Sequence, residues 1–157
     1  MAQQAIRGNL LSATHFCDLL EPWLVLAYRY CYYSLAGNPG LAEQVAEHAV
    51  AAYIRQGLSS EKPAVDLLKA ALRLLPSQPV SCTADISPAG RLAREMQWLT
   101  FDQRQAITLQ VLLGLRATDA VAVMDCSVGR LRWLVWSALP RLTQFLRRQP
   151  AVQSQLP

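Results

Sequence analysis

Apolar residues in this chain recur at steps of three and four, and glycine and proline cut the segments that carry them. Over residues 16–35, Leu19, Leu20, Trp23, Leu24, Leu26, Ala27, Tyr30 and Cys31 share one helical stripe. Gly37-Asn38-Pro39-Gly40 ends that helix, because glycine takes left-handed dihedrals and proline cannot continue the hydrogen-bond ladder. A second helix over residues 41–55 sets Leu41, Val45, Ala49, Ala52 and Tyr53 on one side, with Glu43 and Glu47 on its flank. After a loop from Gly57, Pro63 fits the first turn of a third helix whose stripe is Val65, Leu68, Ala71, Leu72 and Leu75.

The stretch from Pro76 to Gly90 holds Pro76, Pro79, Pro88 and Gly90 among serines and lacks a sustained helical period, so it reads as a linker. Beyond it, helices are expected near residues 92–99, 102–113, 118–124 and 128–146, with Pro140 kinking the last or splitting it. The sequence thus predicts an all-α fold of two small helical modules, residues 1–76 and 91–157, joined by a Pro/Ser-rich linker over 77–90. A chain of 157 residues with 52% apolar composition can fill two such cores.

Several function classes drop out. The first twenty residues alternate polar and apolar types, unlike the continuous apolar core of a secretory signal. The most apolar segment, from Trp23 to Tyr33, is shorter than a bilayer crossing of roughly 20 residues and carries Arg29 in its middle. A cytoplasmic protein without a membrane span is expected. Cys17, Cys31, Cys82 and Cys126 form no CxxC pair, and His15 and His48 sit at no zinc-ligand spacing, so reduced thiols and no metal are expected. No glycine-rich phosphate loop, nucleophile elbow or HExxH is present, which points away from an enzyme and from a cofactor. The tyrosines Tyr28, Tyr30, Tyr32 and Tyr33 read as packing residues, and His48 as a surface residue.

Charge separates the modules. Residues 1–76 set six basic against six acidic side chains, whereas residues 91–148 set nine basic against four acidic. The nine are all arginines, whose planar fork suits phosphate and guanine better than a lysine does. Within this module, a short apolar helix around Ala120-Val121-Ala122-Val123 is followed by a three-residue turn ending at Ser127, a helix-turn-helix layout. Ser127 can cap the second helix and leave that helix's N-terminus facing a phosphate. On a helical wheel, Leu131, Leu134, Val135 and Ala138 face the core, while Arg130, Arg132, Trp133, Trp136 and Ser137 face away.

In these residues the chain resembles bacterial sigma factors of the extracytoplasmic-function class. Leu99-Thr100-Phe101-Asp102-Gln103-Arg104, and Gly114-Leu115 followed by Cys126-Ser127-Val128-Gly129, resemble region four of that class. Upstream, Asn38-Pro39-Gly40-Leu41-Ala42-Glu43-Gln44-Val45 followed by Tyr53-Ile54-Arg55 resembles the core of region two. The resemblance implies a sigma-like transcription factor. Its first module would dock on core RNA polymerase through Glu43, Gln44 and Glu47, and its second would contact promoter DNA through Arg116, Ser127, Arg130, Arg132, Trp133 and Trp136. It also implies an anti-sigma factor or other regulatory protein as a partner.

A second reading takes the chain as a sigma-like interaction protein that binds such a regulator without opening promoters. Trp133 and Trp136 would then anchor the partner, since exposed aromatic pairs mark protein contacts. From Gln56 to Leu75 the chain offers Lys62, Lys69 and Arg73 but no aromatic ring on which a melted base could stack.

Overall fold

A computed structural model describes residues 20–56, 60–76 and 87–148. The expected helix start at Phe16, His15, Cys17, Cys82, the linker core 77–86 and the tail from residue 149 lie outside the described residues. Among the described residues there are seven α-helices, one π-helical segment and no strand, so the fold is all-α. They are α1 (20–34), α2 (Pro39–Arg55), α3 (Pro63–Leu74), α4 (Pro88–Met96), α5 (Phe101–Ile107), α6 (Ala117–Met124) and α7 (Val128–Arg148).

Local chemistry sets the helix ends. At the end of α1 the Gly37 amide donates to the Tyr32 carbonyl at 2.8 Å and the Ala36 amide to the Tyr33 carbonyl at 3.2 Å, a Schellman closure. It holds Ala36 (φ 54°) and Gly37 (φ 88°) in left-handed conformations. A Cβ on Gly37 would lie 2.9 Å from the Ala93 Cβ of α4, so glycine serves both the turn and the approach of α4 to it. α2 begins at Pro39, ahead of the expected Leu41, because the Asn38 Oδ1 accepts from the Leu41 amide at 3.0 Å and Pro39 takes the first helical position.

The same devices correct the linker's expected end. Ser87 Oγ accepts from the Gly90 amide at 3.0 Å, and Pro88, Ala89 and Gly90 form the first turn of α4. A capping serine followed by proline starts a helix there, although the composition reads as a loop. α5 opens on a reciprocal capping box. The Gln103 amide donates to Thr100 Oγ1 at 3.3 Å, and the Thr100 amide to Gln103 Oε1 at 3.1 Å. The expected helix 102–113 then widens into a π-helix over Thr108–Leu112, where the Leu113 amide reaches the Thr108 carbonyl at 2.9 Å. α7 runs through Pro140 as one helix. Proline removes the intrahelical donor to the Trp136 carbonyl, and Trp136 and Pro140 are both exposed, where water can serve that oxygen.

α2 packs on α3, α3 on α6, and α5 on α7. One continuous core runs from Ala27, Tyr30, Cys31 and Leu35 of the first half to Ala106, Leu109, Ala120, Val123, Leu131 and Leu134 of the second. A smaller cluster of Met96, Leu99, Ile107, Ala138 and Leu142 closes α4 and α5 onto α7. Leu24, expected on the core stripe of α1, is 39% exposed. α1 is apolar around more of its circumference than its neighbours cover, so part of that arc is left outside.

The two halves are pinned by a buried arginine. Arg104 is 1% exposed. Its Nε donates to the Ser34 carbonyl of α1 at 3.1 Å, and its Nη1 to the Leu99 carbonyl at 2.8 Å. The guanidinium carbon lies 5.9 Å from the centroid of the Phe101 ring. Beside it, Ser34 Oγ donates to Gln105 Oε1 at 3.1 Å, while Gln105 Nε2 and Thr108 Oγ1 are buried without a hydrogen-bond partner. At the rim, Lys62 Nζ bridges to Asp119 of α6 at 2.7 Å. Replacing Arg104 with Met strips two carbonyls of their donor and relieves the burial of a charge. Arg104→Met is therefore expected to lower the urea midpoint by an amount equivalent to about 3 kcal/mol, and an unchanged midpoint would show that the pin contributes nothing net.

Candidate functional site

The turn between α6 and α7 is short because Asp125 adopts a left-handed conformation, φ 50° and ψ 51°. A short polar side chain tolerates that region better than a β-branched one. The Cys126 amide returns to the Val121 carbonyl at 3.3 Å, and Ser127 Oγ accepts from the Arg130 amide at 3.2 Å. Two helices are thus joined through Asp125-Cys126-Ser127, with Ser127 capping α7 as its position in the sequence suggests. Val128, Gly129 and Arg130, the first turn of α7, are exposed.

The candidate DNA contacts fall into two groups. Arg130 Nη2 bonds Asp102 Oδ2 at 2.7 Å, with both side chains about half exposed. Arg116 pairs with Asp119 at 3.2 Å, and Asp119 is also held by Lys62. The hydrogen bond from Lys62, followed by that from Arg116, keeps the Asp119 carboxyl below its usual range. The stabilising share of this cluster is present above the ordinary carboxylate pKa and is lost as pH falls through the lowered one. Arg132 is exposed, and no ion pair among the described residues includes it. It is the arginine of the three best placed to meet a phosphate.

Trp133 and Trp136 are 60% and 74% exposed, while Leu131, Leu134 and Ala138 on the opposite side of α7 are buried. The rings are surface residues, as the wheel suggests. Ser137 departs from it. Half-buried, it accepts from Gln103 Nε2 at 2.9 Å and donates to the Leu134 carbonyl at 3.0 Å, tying α7 to α5. Arg104, one of the nine arginines in the charge count of the second module, belongs to the interior.

The acidic candidates lie elsewhere. Glu43, Gln44 and Glu47 are exposed on α2. Glu43 and Glu47 rim a cleft of about 340 Å³ whose other walls are Leu24, Val25, Tyr28 and Ala46. Leu24 and Val25 were missed as site residues, and the signal was the excess of apolar residues on α1 beyond one stripe. His48 is exposed, its Nδ1 2.7 Å from the Gln44 carbonyl oxygen. The tyrosines of α1 pack, with Tyr28 and Tyr32 stacked at 5.9 Å and Tyr30 fully buried. Burial pushes the Cys31 thiol up to about 12, and Cys126 is also raised, first by burial. Both are free thiols. No helix among the described residues is long and apolar enough to cross a membrane.

Asp102 is a built-in competitor for any phosphate that Arg130 would meet. Asp102→Asn is expected to strengthen binding to duplex DNA and to steepen the log–log salt slope by about one. Anisotropy titrations at two salt concentrations measure this, and an unaltered slope would place Arg130 outside the contact.

No protein-family model matches the chain, and no curated protein does. Among solved structures the fold is similar to that of the sigma factor RpoE from Bartonella quintana, solved in complex with the anti-sigma factor NepR. The match has a TM-score of 0.68 and 18% sequence identity, and covers 87% of this chain and 99% of that one.

Proposed function

We propose that the chain is a sigma-like transcription factor that binds DNA and associates with core RNA polymerase, acting through positioning rather than chemistry. The observation that carries this reading is the likeness of fold to a sigma factor across 87% of the chain, which takes in both halves. It is an argument from fold, and residues must add to it. Supporting it, α7 carries five arginines and no carboxylate, its N-terminus is exposed, and Arg132 is unengaged by the ion pairs around it. On this reading Arg116, Ser127, Arg130 and Arg132 contact promoter phosphates, while Glu43, Gln44 and Glu47 meet the polymerase.

A charge-driven contact weakens steeply as salt rises. Arg132→Ala is expected to reduce the salt slope of duplex-DNA binding by about one, and absence of binding even at low salt would sink the DNA part of the reading. Reversing Glu43 and Glu47 to Lys puts two repelling charges one helical turn apart on the docking side. That double variant is expected to stop copurifying with core RNA polymerase from a bacterial lysate. Undiminished copurification would move the docking surface off α2.

A second reading is favoured by one observation, the exposure of Trp133 and Trp136 on the helix that would otherwise read bases. An indole offers one donor and cannot make the paired bonds that distinguish guanine or adenine. On this reading the chain is a sigma-like interaction protein that binds a regulator such as an anti-sigma factor, the kind of partner with which RpoE was solved. A pull-down scored for polymerase subunits against a smaller partner separates the two.

A further inference from the structure

The outward line of α7 has a spacing of its own. Gly129, Trp133, Trp136, Pro140 and Thr143 follow one another at steps of four, three, four and three, and all five are exposed. That is the seam spacing of a helix that packs lengthwise on another helix. Directly opposite, Leu131, Leu134 and Ala138 face the protein's own core, so α7 carries one satisfied apolar line and, on its outer face, an exposed apolar patch of Trp133, Trp136 and Pro140. Arg130 and Arg132 occupy the positions that flank the outer seam, where charges set the choice of partner. α7 has no acidic residue.

We infer that this face is a docking site for an acidic amphipathic helix of another protein, with apolar residues on its seam and carboxylates on the flanks that meet Arg130 and Arg132. The inference rests on the second reading above and names the chemistry of its partner. Charge complementarity decides the occupant. A second copy of the chain would bring no carboxylate on this helix to meet Arg130 or Arg132. DNA would satisfy the arginines but would leave the middle of its contact to two indoles and a proline, which read no base edge. An acidic helix satisfies both features, burying the rings between its own apolar residues and pairing its carboxylates with Arg132 and, by exchange with Asp102, with Arg130. Trp133 and Trp136 are then the buried aromatic anchors that dominate a helix-in-groove contact.

The test uses the full chain and two synthetic helical peptides of about four heptads, with leucine on the seam and either glutamate or lysine on the flanks. Binding is measured by calorimetry and by tryptophan emission, which shifts to the blue when exposed rings are covered. The glutamate peptide is expected to bind at least about tenfold tighter than the lysine peptide. Trp133→Ala with Trp136→Ala should weaken it by at least about tenfold while circular dichroism stays helical, and Arg132→Glu should shift the preference toward the lysine peptide. Equal binding of the two peptides, binding untouched by the tryptophan changes, or displacement of the glutamate peptide by duplex DNA overturns the proposal. If the double variant unfolds, the response of Arg132→Glu decides alone. Capture of an anti-sigma factor that is indifferent to both variants would leave the second reading standing and remove this face from it.

Discussion

A guanidinium cannot give up its proton at any physiological pH, so a buried one dictates what surrounds it. Burial lowers the pKa of Arg104 without making it neutral. Its donors therefore need acceptors, and they find them in the Ser34 carbonyl near the end of α1 and the Leu99 carbonyl just ahead of α5. The first is among the carbonyls that a helix end leaves open, at the negative pole of the helix dipole. One residue of the second half thus completes a helix of the first, and α5 cannot leave α1 without uncovering a charge and stripping the Ser34 carbonyl of its donor.

The candidate contacts on α7 are placed from that pin. α5 carries Gln103, which holds Ser137, and Asp102, which holds Arg130, so two of its side chains fix the rotation of α7 about its own axis. That rotation turns Leu131 and Leu134 inward and Trp133 and Trp136 outward. On the far side, α3 meets α6, and Lys62 reaches Asp119, the same carboxylate that holds Arg116. Ion pairs near the surface of this kind contribute little to stability. Their effect here is on availability, since two of the three candidate DNA-contacting arginines are already engaged by carboxylates of the chain.

The seam between the halves is more polar than the cores on either side of it. Ser34, Arg104, Gln105 and Thr108 are all buried there, and two of their polar atoms lack partners. Unpaired buried groups cost free energy that a purely apolar contact would not. The π-helical widening at Thr108–Leu112 lies in the same place, and such segments tend to occur at functional positions. Contacts between modules resemble transient interfaces in this respect.

The helices themselves were legible because their determinants are local. Period, proline at first positions and the serine before α7 act within a turn or two of chain, and they located α2, α3, α6 and α7 to within a few residues and set the outward tryptophans from the inward leucines. Where composition was read in place of capping, at Ser87-Pro88, the boundary moved by several residues. What the sequence could not show was every relation that spans the two halves. Arg104 looks the same as Arg132 in a charge count, yet one is buried between α1 and α5 and the other stands in water. Leu24 shares a stripe with Ala27, yet it is left 39% exposed at a cleft against α2 while Ala27 is fully buried. Burial of a charge and exposure of a leucine depend on which distant segments arrive, and that is decided by packing over the whole chain rather than by neighbours in sequence.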